Sequence, residues 1–398
     1  MSKKIQIKNL IKIFGPAPRR RALSMLKDGV GKDEILEETG HIVGVNQVSF
    51  DVEQGEIFVV MGLSGSGKST LIRCINRLYE PTDGEVLLDD EDVAKVDRNR
   101  LEEIRRTKMA MVFQHFGLFP HKSVVYNAAY GLKVQGMDEA SRREKAIEAL
   151  ELVGLKEWAD HLPSELSGGM QQRVGLARAL ATDADVLLMD EAFSALDPLI
   201  RRQMQDELIE LQERLKKTIV FITHDLNEAL RVGNHVAVMR DGEVVQIGTP
   251  TEIITEPANE YVARFMADVD QARVLSAEFV MKPALKVQNN TTAKAALAAM
   301  DKAGADAIYV VNQRGEVDGL LERSALATMS QNGADRIQRA LQANFPVTAR
   351  FTPLNELYRL CKDGVPIAVM NDAGRLQGVV HPLDVLAALA VAEEVAVE

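Results

Sequence analysis

The chain has 398 residues, enough for two or three domains of ordinary size, and a formal net charge of −11. Acidic chains are repelled by nucleic-acid backbones and anionic lipids, so we expect no nucleic-acid partner. No window reaches the roughly 18 apolar residues of a membrane span, and the N-terminus lacks the apolar stretch of a signal peptide. These features favour a cytosolic chain that would need a partner to hold it at a membrane.

Residues 1–268 alternate short apolar runs with helical patterns, which is typical of a doubly wound α/β domain. Helical spacing predicts a helical subdomain at about 115–180, and a charged stretch predicts a helical insertion at about 16–44. The clearest predicted strands are Ile57–Met61, Met109–Phe113, Val186–Met189, Thr218–Thr223 and Val236–Arg240. The first, third and fourth are nearly continuous apolar runs, so we expect them to be buried on both faces.

A phosphate-binding loop follows the first of these strands, because residues 62–70 fit the pattern G-x-x-x-x-G-K-[ST]. Glycines allow backbone N–H groups to converge on phosphate oxygens, and the following helix directs its positive end at the anion. Lys68 would place a charge near the β- and γ-phosphates, and the Ser69 hydroxyl would ligate Mg²⁺. The predicted ATP-binding residues are Gly62, Ser64, Gly65, Ser66, Gly67, Lys68, Ser69 and Thr70.

Two carboxylates, Asp190 and Glu191, end a later apolar strand. Alone, they would be an ordinary acidic pair at a strand end. Together with the phosphate loop, they predict that Asp190 belongs to the Mg²⁺ shell and that Glu191 polarises the attacking water.

Between these motifs lies the segment Leu166-Ser-Gly-Gly-Met-Gln-Gln-Arg173, and the three together resemble the ATP-binding-cassette (ABC) ATPases. Four further family elements occur, and the resemblance covers about Ile5 to Phe265. They are Phe14 for stacking on adenine, Gln114 as the Q-loop glutamine, Ser194–Asp197 as the D-loop and His224 as the switch histidine.

This resemblance implies an ABC-type nucleotide-binding domain that hydrolyses ATP with Mg²⁺. It implies catalytic roles for Glu191, His224 and Gln114, with Gln114 also close to the metal. It also implies a head-to-tail homodimer, in which each ATP lies between the phosphate loop of one chain and the signature of its partner. The signature and D-loop residues that would bind nucleotide are Ser167, Gly168, Gly169 and Asp197.

Residues 288–390 contain an internal repeat, with copies at Thr292–Leu326 and Thr352–Val385. Each copy is predicted as helix, strand, turn, strand and helix, which favours two small α+β units packed together, with chance similarity as the alternative. The copies resemble a tandem pair of CBS modules at about 288–328 and 348–390. A linker at 269–287 would precede them, and a short acidic tail at 391–398 would follow.

The insertion and the repeat together resemble the ATPase of the glycine betaine/proline quaternary-amine importers. That resemblance implies a peripheral subunit on the cytoplasmic face of the cell membrane, held by a separate permease that works with an extracytoplasmic substrate-binding protein. The apolar segment at 116–120 is then expected to face the permease. Import of another amine or an amino acid stays open as an alternative, as does a soluble ABC ATPase without a transport role.

The CBS-like pair would regulate transport. Asp384, six residues after Gly378, matches the acidic residue with which such modules hold a ribose, whereas the equivalent position in the first copy is Ala325. A nucleotide site is therefore expected only in the second copy. Sensing of ionic strength and purely structural dimerisation are the alternatives.

Overall fold

The computed structural model describes residues 2–114, 117–194, 196–267, 274–331, 337–350, 352–361, 364–371 and 374–394. The chain divides into two compact units, Met1–Met266 and Ala267–Glu398. Among the described residues, no helix combines the length and apolarity needed to cross a bilayer.

The first unit contains two β-sheets. Their strands are β1 Lys3–Phe14, β2 Ile42–Glu53, β3 Ile57–Met61, β4 Asp83–Leu88, β5 Glu91–Asp92, β6 Met109–Val112, β7 Val186–Asp190, β8 Thr218–Thr223, β9 His235–Arg240 and β10 Glu243–Gly248. The larger sheet has the order β10-β9-β3-β8-β7-β6 and is parallel except for the edge hairpin β9–β10. The smaller sheet is antiparallel, with the order β2-β1-β4-β5.

All five predicted strands of the larger sheet are confirmed, with bounds that differ by one residue at most. Every residue of β3, β7 and β8 is buried, as their apolar runs predicted. The smaller sheet was not predicted. Its strands β1 and β2 pair with four register shifts, and such irregular pairing breaks the period-two pattern by which a strand is recognised in sequence.

The helices of the first unit lie on the sheets and in one insertion between β6 and β7. They are α1 Arg20–Lys27, α2 Lys32–Thr39, α3 Lys68–Ile75, α4 Arg98–Thr107, α5 Val124–Val134, α6 Glu139–Leu152, α7 Gly168–Ala181, α8 Pro198–Leu215, α9 Leu226–Val232, α10 Pro250–Thr255 and α11 Glu260–Met266. Most of them begin at a side-chain cap: Asp97, Ser123, Asp138, Ser167, Asp197, Asp225 and Thr249 each accept a hydrogen bond from a backbone N–H in the first turn.

The N-terminal insertion forms α1 and α2, which bury a small apolar cluster against the antiparallel sheet. Ala22, Leu26 and Ile35 pack there with residues of β1 and β2. The two ends of the insertion meet, because His41 Nε2 lies 2.8 Å from the carbonyl oxygen of Pro16.

The described part of the second unit contains two three-stranded sheets, one in each copy of the predicted repeat. In each sheet the first strand is parallel to the second and the second is antiparallel to the third. The strands are β11 Lys286–Gln288, β12 Ala307–Val311 and β13 Val317–Glu322 in one copy, and β14 Val347–Ala349, β15 Ile367–Met370 and β16 Leu376–Val380 in the other. The helices of the two copies are Ala293–Ala303, Arg323–Gln331, Leu354–Leu357 and Pro382–Glu394.

The stretch expected as a linker contributes structure of its own. Residues 268–273 lie outside the described residues, but Ala277–Val280 is a short helix. Leu275, Ala277 and Val280 are buried with Leu354 and Ile367 in the core of the second copy. Part of the expected tail is likewise helical, up to Glu394, and Glu398 lies outside the described residues.

Candidate functional site

The phosphate loop joins the buried strand β3 to helix α3. Gly67 has a φ of +100°, and a Cβ there would lie 2.4 Å from the carbonyl oxygen of Gly44 on β2. Gly62 is confined in the same way, since its Cβ would lie 2.2 Å from the carbonyl oxygen of Met239. Residues 63–65 are exposed. The loop is therefore held by close backbone approach on one side and is open to a ligand on the other.

Lys68 lies inside this loop. Its Nζ donates hydrogen bonds to the carbonyl oxygens of Gly62 (2.7 Å) and Leu63 (2.9 Å), and its side chain is buried. Burial lowers the pKa of Lys68, while the nearby carboxylates Glu191 and Asp190 oppose that shift. A buried cation in the N-terminal turn of α3 is an arrangement suited to an anion.

Ser69 and Asp190 meet where α3 passes the end of β7. The Ser69 hydroxyl donates to Asp190 Oδ1 over 3.1 Å, and the side chain of Asp190 is 4% exposed. Its second oxygen, Oδ2, accepts a hydrogen bond from Arg73 Nη2 at 3.1 Å. The Arg73 guanidinium also stacks over the ring of Tyr79. The carboxylate therefore has a fixed orientation. The Ser69 hydroxyl and Asp190 Oδ1 lie next to each other and are both hard oxygen ligands.

Glu191 joins two of the predicted catalytic residues. Its Oε2 lies 3.1 Å from His224 Nδ1 and accepts a hydrogen bond of 3.3 Å from Gln114 Nε2. Gln114 also donates to Ser194 Oγ at 3.2 Å, so its amide is turned toward Glu191 rather than toward Ser69 and Asp190. Glu191 adopts a φ of +45°, a strained conformation for a non-glycine residue, directly after β7 ends at Asp190.

Phe14, the predicted adenine-stacking residue, lies beside the same loop. A Cβ on Gly44 would come 2.7 Å from the Phe14 ring and 3.2 Å from Thr70 Cγ2, so β2 brings Phe14 next to the start of α3. The ring meets Tyr79 edge to face at 5.4 Å. The ring is only half-buried, and the Nζ of Lys12 lies over it, 5.0 Å from its centroid.

The signature and the D-loop are placed together, at the starts of α7 and α8. Ser167 caps α7 by accepting a hydrogen bond from Met170 N, and Asp197 caps α8 through Leu199 N and Ile200 N. The two helix starts meet at Ile200, whose Cγ2 would lie 2.5 Å from a Cβ on Gly169. Gly168 has open space around it. Ala195 of the D-loop lies outside the described residues.

Sequence reasoning missed Arg73 and Gly44. Arg73 follows Ser69 by one helical turn, so the spacing could have revealed it once Ser69 was assigned. Gly44 carries no comparable signal, because its closeness to Gly67 arises from the way β2 lies across the loop.

In the second unit, Asp384 is already engaged within the chain. Its Oδ1 accepts a hydrogen bond from Lys282 Nζ at 2.7 Å. Its Oδ2 is buried and has no hydrogen-bond partner among the described residues. A ligand hydroxyl could satisfy that oxygen, since buried carboxylate oxygens are costly when unpaired.

Comparison with known proteins finds one family model, described as ABC transporter, that matches residues 45–194. The chain is 50% identical over 388 residues to the glycine betaine/carnitine transport ATP-binding protein GbuA of Listeria monocytogenes, covering 97% of each chain. It is 48% identical over 363 residues to the glycine betaine/proline betaine transport system ATP-binding protein ProV of Escherichia coli, covering 90% of each.

Among solved structures, the ATP-binding cassette MJ0796, dimeric and bound to ADP and Pi in a post-hydrolysis state, is 33% identical. It matches with a TM-score of 0.52 and covers 62% of this chain and 98% of that one. The two transport proteins thus match the chain through both units, whereas the cassette structure has a length similar to the first unit alone.

Proposed function

The chain belongs to the ABC transporter ATP-binding proteins of the glycine betaine transport family, and from that premise we propose that it drives an importer of quaternary-amine osmoprotectants. It binds and hydrolyses ATP. The observation that carries the proposal is the 50% identity to a transport ATPase over 97% of the chain. The phosphate loop, the two carboxylates and the histidine also lie together in the structure. Glycine betaine, carnitine and proline betaine are the solutes named for the relatives.

In the proposed mechanism, the loop backbone and Lys68 bind the β- and γ-phosphates. Lys68 Nζ would exchange its hydrogen bonds to Gly62 and Leu63 for the more favourable ones to phosphate oxygens. Phe14 would stack on the adenine, which the half-exposed ring beside Thr70 supports.

The residues that would hold Mg²⁺ are Ser69 and Asp190, with Gln114 as the third proposed ligand. A hydroxyl and a fixed carboxylate oxygen 3.1 Å apart fit a hard cation of this size. When bound, the ion would offset negative charge on the phosphate oxygens. Gln114 would have to turn from Glu191 to reach it.

For hydrolysis, we propose that Glu191 accepts a proton from the attacking water. Its carboxylate lies just beyond the end of β7, between Gln114 and His224. His224 would contact the γ-phosphate through its exposed ring, and its position beside Glu191 supports a shared role in orienting the water.

We further propose a head-to-tail dimer, in which Ser167, Gly168 and Gly169 of one chain close on the phosphate loop of its partner. Within one chain, the hydrogen bonds of Ser167 and Asp197 are local caps, and the surroundings of Gly168 are open. The start of α7 is thereby left available to an anion from outside the chain.

A cleft of about 450 Å³ between α4, α5, α7 and β6 is the proposed docking site for a cytoplasmic helix of the permease. Apolar side chains line most of it, with one glutamate and three arginines among the lining residues. Phe113, Tyr130 and Val134 in its wall are exposed, which suits the apolar face of an amphipathic helix. Phe116, in the segment expected to form this contact, lies outside the described residues. The permease would hold the chain at the cytoplasmic face of the membrane, and a substrate-binding protein would deliver the solute on the other side.

The second unit is proposed to be a tandem CBS pair that regulates transport. The two copies of one β-β-β topology support this assignment. Asp384 is the proposed regulatory residue, and its ion pair with Lys282 is compatible with either a nucleotide ribose or a response to ionic strength.

A purified chain carrying Glu191→Gln tests the ATPase mechanism. We expect ATP to bind and trap a dimer, with turnover reduced at least about a hundredfold because the general base is lost. Normal turnover would remove Glu191 from this role. Uptake of labelled glycine betaine at high salt tests the transported solute, and we expect this uptake to disappear when the gene is deleted. If betaine uptake persisted while uptake of another amine or an amino acid were lost, that compound would be the solute instead.

A further inference from the structure

Two of the side-chain contacts between helix α8 and helix α9 lie at the cap and first turn of α9, and we call these two the α8–α9 clamp. Arg201 Nη1 lies 3.0 Å from Asp225 Oδ2, and Gln205 Nε2 donates to Glu228 Oε1 at 3.1 Å. Arg201 and Gln205 are one helical turn apart, so they present one face of α8 to the first turn of α9.

Arg201 has a second set of partners. Its Nη2 donates to the carbonyl oxygens of Leu196 (3.1 Å) and Ser194 (3.4 Å). Both carbonyls belong to the D-loop segment, which ends at the α8 cap Asp197. One guanidinium therefore binds the D-loop backbone with one nitrogen and the α9 cap with the other, a fork that only arginine provides.

The residues on both sides of His224 are hydrogen-bonded to the clamp residues Asp225 and Glu228 or are themselves part of the clamp. The Thr223 hydroxyl accepts a hydrogen bond from Asp225 N at 3.0 Å and bonds to the Glu228 carboxyl. Thr223 and Glu228 are buried, whereas the His224 side chain is 54% exposed. The residues on either side of His224 are thus fixed, and its ring has a described partner only in Glu191.

These hydrogen bonds link the carbonyl groups of Ser194 and Leu196, through Arg201, to the α9 cap that directly follows His224. We propose that Arg201 is a positioning residue that couples the D-loop to His224, so that contact of a partner cassette with Asp197 sets His224 at the γ-phosphate. This inference rests on the proposed dimer and on the proposed role of His224. It assigns to Arg201 a function beyond holding α8 against α9.

The test compares Arg201→Gln with Arg231→Gln in the purified full-length chain. Arg231 also pairs across the two helices, with Asp206, but away from the D-loop. We expect R201Q to lower kcat at least tenfold, to leave the KM for ATP within about twofold and to reduce the Hill coefficient for ATP toward 1. R231Q should keep the parent's kcat and Hill coefficient. We expect both variants to shift the midpoint of thermal unfolding by a similar amount, because each loses one ion pair between the same two helices. Equal kinetics in the two variants would overturn the inference.

A second arm separates coupling from folding and from the proposed function itself. In the E191Q background, adding R201Q should leave the ATP-dependent dimer intact by size-exclusion chromatography, because Arg201 positions His224 and does not bind nucleotide. Loss of that dimer would overturn the coupling role in favour of a structural one. Arg201→Lys, which can pair with Asp225 but not reach both D-loop carbonyls, should fall between R201Q and the parent. If E191Q itself turned over normally, the proposed mechanism would fail independently of Arg201.

Discussion

The two adjacent glycines of the signature should respond oppositely to alanine. A Cβ on Gly169 would lie 2.5 Å from Ile200 Cγ2, whereas a Cβ on Gly168 would have no heavy atom within 4 Å. Carbon atoms in contact normally lie about 3.5–4.0 Å apart, so G169A requires Ile200 to move by about 1 Å or more. Ile200 is β-branched and helical, so its χ1 is stiff and the shift must be shared with the backbone of α8.

The magnitude follows from two opposing terms. Overpacking of this kind costs about 1–3 kcal/mol, while replacing glycine by alanine within a helix returns at most about 1 kcal/mol. With the full offset, G169A should therefore lose up to about 2 kcal/mol of unfolding free energy. G168A has only the favourable term and should be as stable as the parent or slightly more so.

Denaturant unfolding of the purified chain, followed by a probe in the first unit, measures both variants. Ile200→Ala removes Cγ2, so the double variant G169A/I200A should show a favourable coupling of about 0.5–2 kcal/mol. The steric reasoning is refuted if G169A is as stable as G168A, or if its loss is unchanged in the I200A background. ATPase assays add a separate readout, since G168A should reduce turnover without unfolding if this backbone faces the partner's nucleotide.

Three further outcomes are expected. Phe14→Ala should raise the KM for ATP about tenfold, since loss of base stacking costs about 1–3 kcal/mol, and an unchanged KM would exclude Phe14 from the adenine site. Burial raises the pKa of Glu228 above its usual 4.5, so protonation of this carboxyl stabilises the folded state. The stabilisation is complete below pH 4.5 and is lost as the pH rises through the raised pKa. Glu228→Gln should thus gain thermal stability relative to the parent between pH 5 and pH 8, and parallel pH profiles would contradict this. Tyr130→Asp in the cleft wall should abolish co-purification with the permease while ATPase activity remains, whereas Lys145→Asp on the exposed face of α6 should retain both.

The strands of the parallel sheet and the phosphate loop were predictable because their signals are local. β3, β7 and β8 are apolar throughout, and Gly62–Thr70 is a contiguous pattern whose backbone chemistry requires glycine at fixed spacing. The antiparallel sheet was missed because its irregular pairing disrupts alternation. The helix at Ala277–Val280 falls within the expected linker, because four residues are too few to show a helical period in sequence.

The sequence by itself determined which residue types the ATP site contains and in what order the chain presents them. The tertiary structure alone decided how they are held. Arg73 is hydrogen-bonded to Asp190, which lies 117 positions later in the sequence. The carbonyl oxygen of Gly44 packs against Gly67, and Arg201 bonds to both Leu196 and Asp225. Such contacts depend on the crossing of separate strands and helices, and no local pattern encodes where two distant segments meet. The order of motifs therefore predicted an ATPase, and the packing showed which side chains orient its carboxylate and its histidine.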